Sequence, residues 1–281
     1  MTTAPAPARE PLPPPLGRKQ SATHEDFWAS FHRITEIVPR PVYEARLEAA
    51  AAEVHRVCKG KRAAFGWSGG KDALALQAVC RRAGVERCVL GMTDHLEYPD
   101  FLAWVTDNMP AGLTVVKNGW DIEWLAAHPE MLFPQTADVA AKWFKGVQHY
   151  AQAKYFRDEK LDLILLGRRR ADGNYVGKGG LNVYEADGVT RYSPIADWSH
   201  EMVLASLEYE GWRVNLPPFY HWPRGFRCGT HAWPARQWCA GVPHGWSEVY
   251  AIDPGVVRAA ALKIDTAAAF LKTLPGGREC D

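Results

Sequence analysis

Apolar positions recur at helical spacing in EDFWASFHRITEIV (25–38) and in PVYEARLEAAAAEVHRVC (41–58), the second opening with Pro41 near a first-turn position. From residue 63 the pattern becomes an alternation. Residues 63–67 read as a strand and 72–83 as a helix; ERCVLGMTD (86–94) reads as a strand and 98–109 as a helix. LTVVKN (113–118) reads as a strand, helical stretches follow over 120–127 and 137–159, and LDLILLG (161–167) closes the series as a short apolar strand. Strands apolar on both faces and separated by helices predict an α/β fold, with a parallel sheet of about five strands flanked by helices.

After Gly167 the texture changes. A Gly-rich loop, RRRADGNYVGKGG, precedes VTRYSPIADWS, and one more amphipathic helix is expected in HEMVLASLEYEGW (200–212). An aromatic, Pro-rich stretch runs from 212 to 246, and a last helix is expected from Asp253-Pro254, a capping residue followed by Pro, to about Leu274. The first twenty residues, MTTAPAPAREPLPPPLGRKQ, offer almost nothing to bury. The expected organisation is a disordered tail over 1–22, an α/β domain with N-terminal helices over 23–210, and an aromatic-rich segment with a helix over 211–281 that covers the active site.

Composition narrows the function classes. With 33 basic against 32 acidic residues, no global field attracts nucleic acid or an anionic membrane, so any such attraction is local. Neither a run of membrane-spanning length nor a secretory leader is seen, which makes a cytoplasmic location without membrane partners the expectation. Six scattered cysteines (Cys58, Cys80, Cys88, Cys228, Cys239, Cys280) fit reduced thiols better than a disulfide framework. Locally, residues 141–178 hold nine basic and four acidic residues, an excess of five, accompanied by Trp143, Phe144, Tyr150 and Tyr155. Helical spacing makes these aromatics core residues first, while Lys142, Lys145 and Lys154 are of the type that lines a DNA or RNA groove.

The most informative stretch is AAFGWSGGKDALALQAV (63–79). A Ser-Gly-Gly turn between a buried strand and a helix gathers backbone N–H groups and a helix N-terminus at one point, where peptide dipoles favour an anion. Gly69 and Gly70 let the backbone approach phosphate oxygens, Ser68 donates a hydroxyl and Lys71 adds charge. Asp72 would cap the helix or place a magnesium ion. The plainer alternative is a tight strand-to-helix connection with Lys71 solvated. The spacing fits neither a Walker loop nor a dinucleotide fingerprint.

SGGKD resembles the PP-loop of the N-type ATP pyrophosphatases, the adenine nucleotide alpha hydrolase superfamily. Further segments resemble its phosphoadenylylsulfate (PAPS) reductase-like family: GMTDHLEYPDF (91–101), LLGRRRADG (165–173), YSPIADWS (192–199) and PPFYHWPRGFRCGTHAWPAR (217–236). The resemblance covers residues 63–236 and implies a Rossmann-like adenine nucleotide alpha hydrolase fold that binds ATP with Mg²⁺. It implies that Ser68, Gly69, Gly70 and Lys71 hold the β- and γ-phosphates, with Asp72 as the metal residue. Asp94 and Gly167 would border the nucleotide with Arg168, and Arg169 and Arg170 align with the family's arginine pair. His95-Leu96 stand where the family often has Thr-Gly, which leaves the base or ribose contact open.

The implied catalytic residues are Lys71, Asp72, Arg169 and Arg170, and the implied reaction is attack on the α-phosphorus of ATP with pyrophosphate leaving. The intact loop favours ATP cleavage over binding of an already activated sulfate. The sharpest version is DNA phosphorothioation, with DNA and a cysteine desulfurase or other sulfur donor as partners. A homo-oligomer is compatible with the sequence and not specified by it. Alternatives are a thiol-dependent PAPS reductase using Cys280, set in a Glu-Cys context without the family's following Gly, and a nucleotide binder without turnover. Asp197 is expected to cap the helix starting at Ser199, with Trp198 packed beneath it. No Cys-Cys or Cys-x-x-Cys pair occurs, so no iron–sulfur cluster is expected; Cys228, His231, Cys239 and His244 have the ligand types of a zinc site, although the family resemblance already accounts for Thr230-His231.

Overall fold

The computed structural model describes residues 10–228 and 230–275. The chain enters along a packed strap rather than the disordered tail expected over 1–22, of which residues 1–9 lie outside the described residues. Leu16 is buried, and its N–H donates to Glu201 Oε1 (2.6 Å). Lys19 N donates to the Ala171 carbonyl (3.1 Å), and Arg33 reaches back to the carbonyls of Glu10 and Pro11. One buried leucine and these backbone contacts hold a segment whose composition offers little else.

Helix α1 (His24–His32) opens with a reciprocal cap: Asp26 N donates to Thr23 Oγ1 and Thr23 N to Asp26 Oδ2. Helices α2 (Ile34–Ile37) and α3 (Arg40–Cys58) follow, with Pro41 in the first turn of α3. The alternation then begins: β1 (Ala63–Gly66), α4 (Lys71–Ala83), β2 (Cys88–Met92), α5 (Pro99–Asn108) and β3 (Leu113–Lys117). It continues through α6 (Ile122–Ala127), α7 (Ala137–Phe144), a π-helical turn (Lys145–His149), α8 (Tyr150–Asp158) and β4 (Leu163–Leu165).

A hairpin, β5 (Val183–Ala186) and β6 (Val189–Tyr192), was not foreseen. It completes a six-stranded sheet of order β3-β2-β1-β4-β6-β5, parallel except for the β5–β6 pair. The fold is a Rossmann-like α/β fold. Its two apolar faces are both covered, as the strand pattern predicts: Phe65, Leu90 and Leu165 join one core with residues of α4 and of the later helix α9 (His200–Tyr209), and Ala64, Val89 and Ile164 join another with Ala151 and Tyr155 of α8. Because β1 has β2 on one side and β4 on the other, the strand order reverses there. A crevice for ligand opens at the carboxyl ends of β1 and β4.

Helix α9 (His200–Tyr209) is capped by Ser199, whose Oγ accepts from Met202 N (3.2 Å), rather than by Asp197 as expected. Asp197 pairs with Arg170 instead, while Trp198 is buried as expected. The aromatic C-terminal segment adds a helix that the Pro-rich reading overlooked, α10 (Val242–Ile252), whose Trp246 meets Phe133 edge-on at 5.0 Å. The single last helix is split into α11 (Pro254–Ala260), capped by Asp253 as expected, and α12 (Asp265–Leu271). Residues 217–228 and 230–236 wrap back over the strand ends. There Glu97 and Ala232 form a bridge, Tyr98 N donates to the His231 carbonyl and Trp233 N to the Leu96 carbonyl. Among the described residues no helix is long and apolar enough to cross a membrane.

Candidate functional site

The Ser68–Asp72 turn lies between β1 and α4, at the crevice. Gly69 has φ +68°, and a Cβ there would sit 2.7 Å from the Trp104 ring, so both conformation and space call for glycine. Gly70 occupies the capping position of α4 without a side-chain cap, leaving the helix's first N–H groups to other partners. Ser68 Oγ lies 3.4 Å from Gly70 N, and Lys71 N donates to the hydroxyl of Tyr220, which arrives from the covering segment. Burial pushes the Tyr220 phenol well above its usual range, so it stays neutral.

Behind the turn lies a cluster of fixed charges. Lys71, 2% exposed, places Nζ 2.6 Å from Asp72 Oδ2 and 3.7 Å from Asp172 Oδ1. Arg169, fully buried, donates from Nε to Asp72 Oδ1 (2.6 Å) and from Nη1 to the Trp198 carbonyl (3.0 Å). Its Nη2 lies 2.8 Å from Asp172 Oδ2 and 3.0 Å from His200 Nδ1. Burial opposes ionisation of Asp72, but Arg169 and then Lys71 outweigh it and hold the carboxyl well below the usual range. Burial lowers the Lys71 ammonium, with Asp72 acting against that shift. His200 is pushed down to about 3 by burial and then by Lys71 and Arg169, so its ring is neutral. With Arg169 donating to Nδ1, the proton sits on Nε2, which is buried without a partner among the described residues.

In front of Asp72 a cleft of about 170 Å³ opens at the ends of β1, β2 and β4, bordered by Ser68, Asp72, Gln152, Gly167 and Arg168. A Cβ on Gly167 would sit 2.7 Å from the Asp72 carbonyl, so glycine there lets the two loops meet. Arg168 donates to the Tyr184 hydroxyl (2.6 Å), and its Nη2 lies 2.5 Å from His149 Nε2. The π-helical turn supplies that histidine; burial and then Arg168 push its ring down to about 4, which keeps Nε2 an acceptor. Inserted π turns recur at functional sites.

The anticipated residues therefore divide. Ser68, Asp72, Gly167 and Arg168 border the cleft, Gly69 and Gly70 form the turn between Ser68 and α4 without lining it, and Lys71 and Arg169 stand behind Asp72. Arg170 points elsewhere, to Asp197 and to Asn182 Oδ1 (2.8 Å), and it is exposed. Asp94, at the end of β2, has its Oδ1 2.5 Å from Lys117 Nζ and does not border the cleft. Asp172, His200 and Tyr220 were missed. Asp172 had a signal, an acidic residue two positions past the arginine run, whereas nothing local marks Tyr220 as reaching residue 71.

The zinc quartet is not assembled. His231 Nδ1 lies 2.5 Å from Glu97 Oε2, and Cys228 Sγ faces the Gln237 carbonyl. Cys239 and His244 do approach each other, joined by Glu248, with ligand atoms within 4.8 Å. Glu248 Oε2 also accepts from Arg224 (2.6 Å) and Arg236 (3.0 Å). Cys280 lies outside the described residues.

No protein-family model matches the chain, and no curated protein does. Solved structures do match. The PAPS reductase of Candida auris, in a phosphate complex, is 14% identical with a TM-score of 0.44, over 61% of this chain and 87% of its own. The U34-tRNA thiolase NcsA of Methanococcus maripaludis, with its [4Fe-4S] cluster, is 13% identical with a TM-score of 0.38, over 95% and 87%. The NH3-dependent NAD synthetase of Campylobacter jejuni, with nitrate, is 14% identical with a TM-score of 0.39, over 83% and 97%. All three are adenine nucleotide alpha hydrolase (PP-loop) superfamily proteins, the superfamily whose loop this sequence resembles. One expectation is corrected: missing Cys-Cys and Cys-x-x-Cys pairs do not exclude an iron–sulfur cluster. In this chain a loop and a helix bring Cys239, His244 and Glu248 within reach of one metal ion. The set spans ten residues, with His244 and Glu248 one turn apart on α10, a spacing that a search for cysteine pairs passes over.

Proposed function

We propose that the chain is an ATP pyrophosphatase that binds ATP in the cleft and directs attack to its α-phosphorus. An acceptor oxygen forms the new P–O bond, the bond between the α-phosphorus and the bridging oxygen breaks, and its electron pair leaves with pyrophosphate. The observation that supports this most is the start of α4, which has no cap from Gly70 and whose first N–H goes to the Tyr220 hydroxyl, behind a two-glycine turn at the reversal point of the sheet, with Arg168 bordering the same cleft. Ser68 and the loop amides would hold phosphate oxygens there. Lys71 and Arg169 reach the phosphates by exchanging Asp72 and Asp172 for them. Asp72, 27% exposed beside the cleft, engages one cation on each oxygen and keeps acceptor capacity for Mg²⁺, which would neutralise phosphate charge. Catalysis would come from positioning and charge neutralisation.

We place the reaction in a sulfur-transfer or nucleic-acid modification pathway, with DNA phosphorothioation as its sharpest form: ATP activates a DNA phosphate and a cysteine desulfurase or other donor supplies sulfur. Lys142, Lys145 and Lys178 are exposed in the basic stretch, which supports a nucleic-acid partner. Incubation with Mg²⁺ and ATP labelled at the α-phosphate, with and without DNA, tests both parts. AMP with pyrophosphate, lost in Lys71→Ala, supports α-phosphorus chemistry; ADP with phosphate contradicts it. Absence of salt-sensitive DNA binding together with an unchanged rate in DNA removes the DNA reading. Sulfite release from PAPS would instead make the protein a reductase.

A further inference from the structure

The wall of the cleft that α8 supplies contains a polar group without a hydrogen-bond partner among the described residues. Gln152, on α8, is 9% exposed and borders the cleft, and its Oε1 is buried without a hydrogen-bond partner among the described residues. A buried acceptor left unmade is costly, so native proteins rarely keep one without a ligand or water to fill it. The amide is pinned against the end of β1: a Cβ on Gly66 would sit 3.4 Å from Gln152 Nε2 and 3.1 Å from Leu166.

Phe144, Gln148 and Gln152 follow one another at intervals of four along the wall, across the π-helical turn, and all three border the cleft. Phe144 is 40% exposed, with the Arg168 guanidinium 5.6 Å from its ring centroid. Close contact holds this wall to the sheet, since a Cβ on Gly91 of β2 would sit 2.6 Å from the Val147 carbonyl. The cleft thus brings Ser68 and Arg168 together with an unspent amide on α8 and, about two turns earlier along the same wall, an aromatic ring.

We infer that Gln152 is the residue that reads the nucleobase, and that it selects a 6-aminopurine; this rests on the proposed binding of a nucleoside triphosphate in the cleft. A glutamine amide pairs in two places with adenine: Oε1 accepts from the exocyclic amine while Nε2 donates to the adjacent ring nitrogen. In the same orientation guanine sets its carbonyl oxygen against Oε1. Phe144 covers a face of the ring. Gln152 is therefore a specificity residue that acts on the base and not on the reacting phosphorus.

Equilibrium binding of ATP, GTP and inorganic tripolyphosphate to the full chain and to Gln152→Leu and the near-isosteric Gln152→Glu tests this. The expected preference of the wild type for ATP over GTP is roughly tenfold or more, within the range of a two-point amide–base pair. Both variants bring it down to about threefold or less, and tripolyphosphate affinity stays unchanged in the uncharged Gln152→Leu, because that probe has no base. An unchanged ATP-to-GTP ratio in Gln152→Glu, with ATP still bound tightly, overturns the role of Gln152 and leaves nucleotide binding standing. Failure of the wild type to bind either ATP or tripolyphosphate overturns the proposed function, and the base-reading role falls with it.

Discussion

Arg169 is the single side chain whose removal disturbs the candidate site most. Replacing it with Met keeps much of its length and removes all its polar contacts: Asp72, Asp172, the Trp198 carbonyl and His200. Asp172, 8% exposed, is then left with Lys71 at 3.7 Å as its nearest cation. Breaking one side of a buried ionic set costs about 3–5 kcal/mol, because the remaining charges stay desolvated. For a chain of this size about 2–4 °C accompany each kcal/mol, so the melting temperature should drop by roughly 6–20 °C. Urea titration followed by circular dichroism measures the loss. The double variant Arg169→Met/Asp172→Asn removes the stranded charge and should recover at least about 1 kcal/mol of it. A loss below about 1 kcal/mol, or strict additivity in the double variant, would refute the claim that these groups form one coupled set.

Gly69→Ala forces an L-residue to φ +68° and a methyl against Trp104; strain and overpacking together should destabilise by about 2–5 kcal/mol in urea titration. Tyr220→Phe removes the acceptor of Lys71 N–H and should cost about 1–3 kcal/mol in the free protein, but much less when ATP is saturating, because phosphate then takes that N–H; equal losses under both conditions would contradict this. His200→Asn should alter the acid limb of stability. The folded-state pKa of about 3 lies below the unfolded 6.5, so lowering the pH loads the unfolded state with a proton first and stability falls through that window. Between pH 7 and 5 the wild type should lose up to about 2 kcal/mol more than His200→Asn, measured by urea titration at each pH.

The alternating apolar strands, the helices between them and the turn at Ser68–Asp72 were legible because each rests on local periodicity or local chemistry. The β5–β6 hairpin was also signalled, by Asp187-Gly188 between two short strand-like runs, with φ +54° and +69°. It was hidden by the glycine-rich loop in front of it and by the exposed outer residues of β5. Helix α10 was obscured because Pro243 and Gly245 read as loop residues, although Pro there occupies a first-turn position. The site shows the same division. Ser68, Gly69 and Gly70 are readable from the turn alone, whereas Asp172, His200, Tyr220 and Gln152 become site residues only through contacts across the fold. The burial of Lys71 and Arg169 behind Asp72 is likewise a property of packing. An arginine in a run of three gives no local sign of which member turns inward.

The central claim concerns which phosphorus is attacked, and oxygen isotope placement reads that directly. Turnover of ATP in water enriched in ¹⁸O, without DNA so that water is the acceptor, and with products resolved by mass spectrometry, should put the label in AMP and leave pyrophosphate unlabelled. Label in orthophosphate alongside ADP, or in pyrophosphate, would place the attack away from the α-phosphorus and contradict the account.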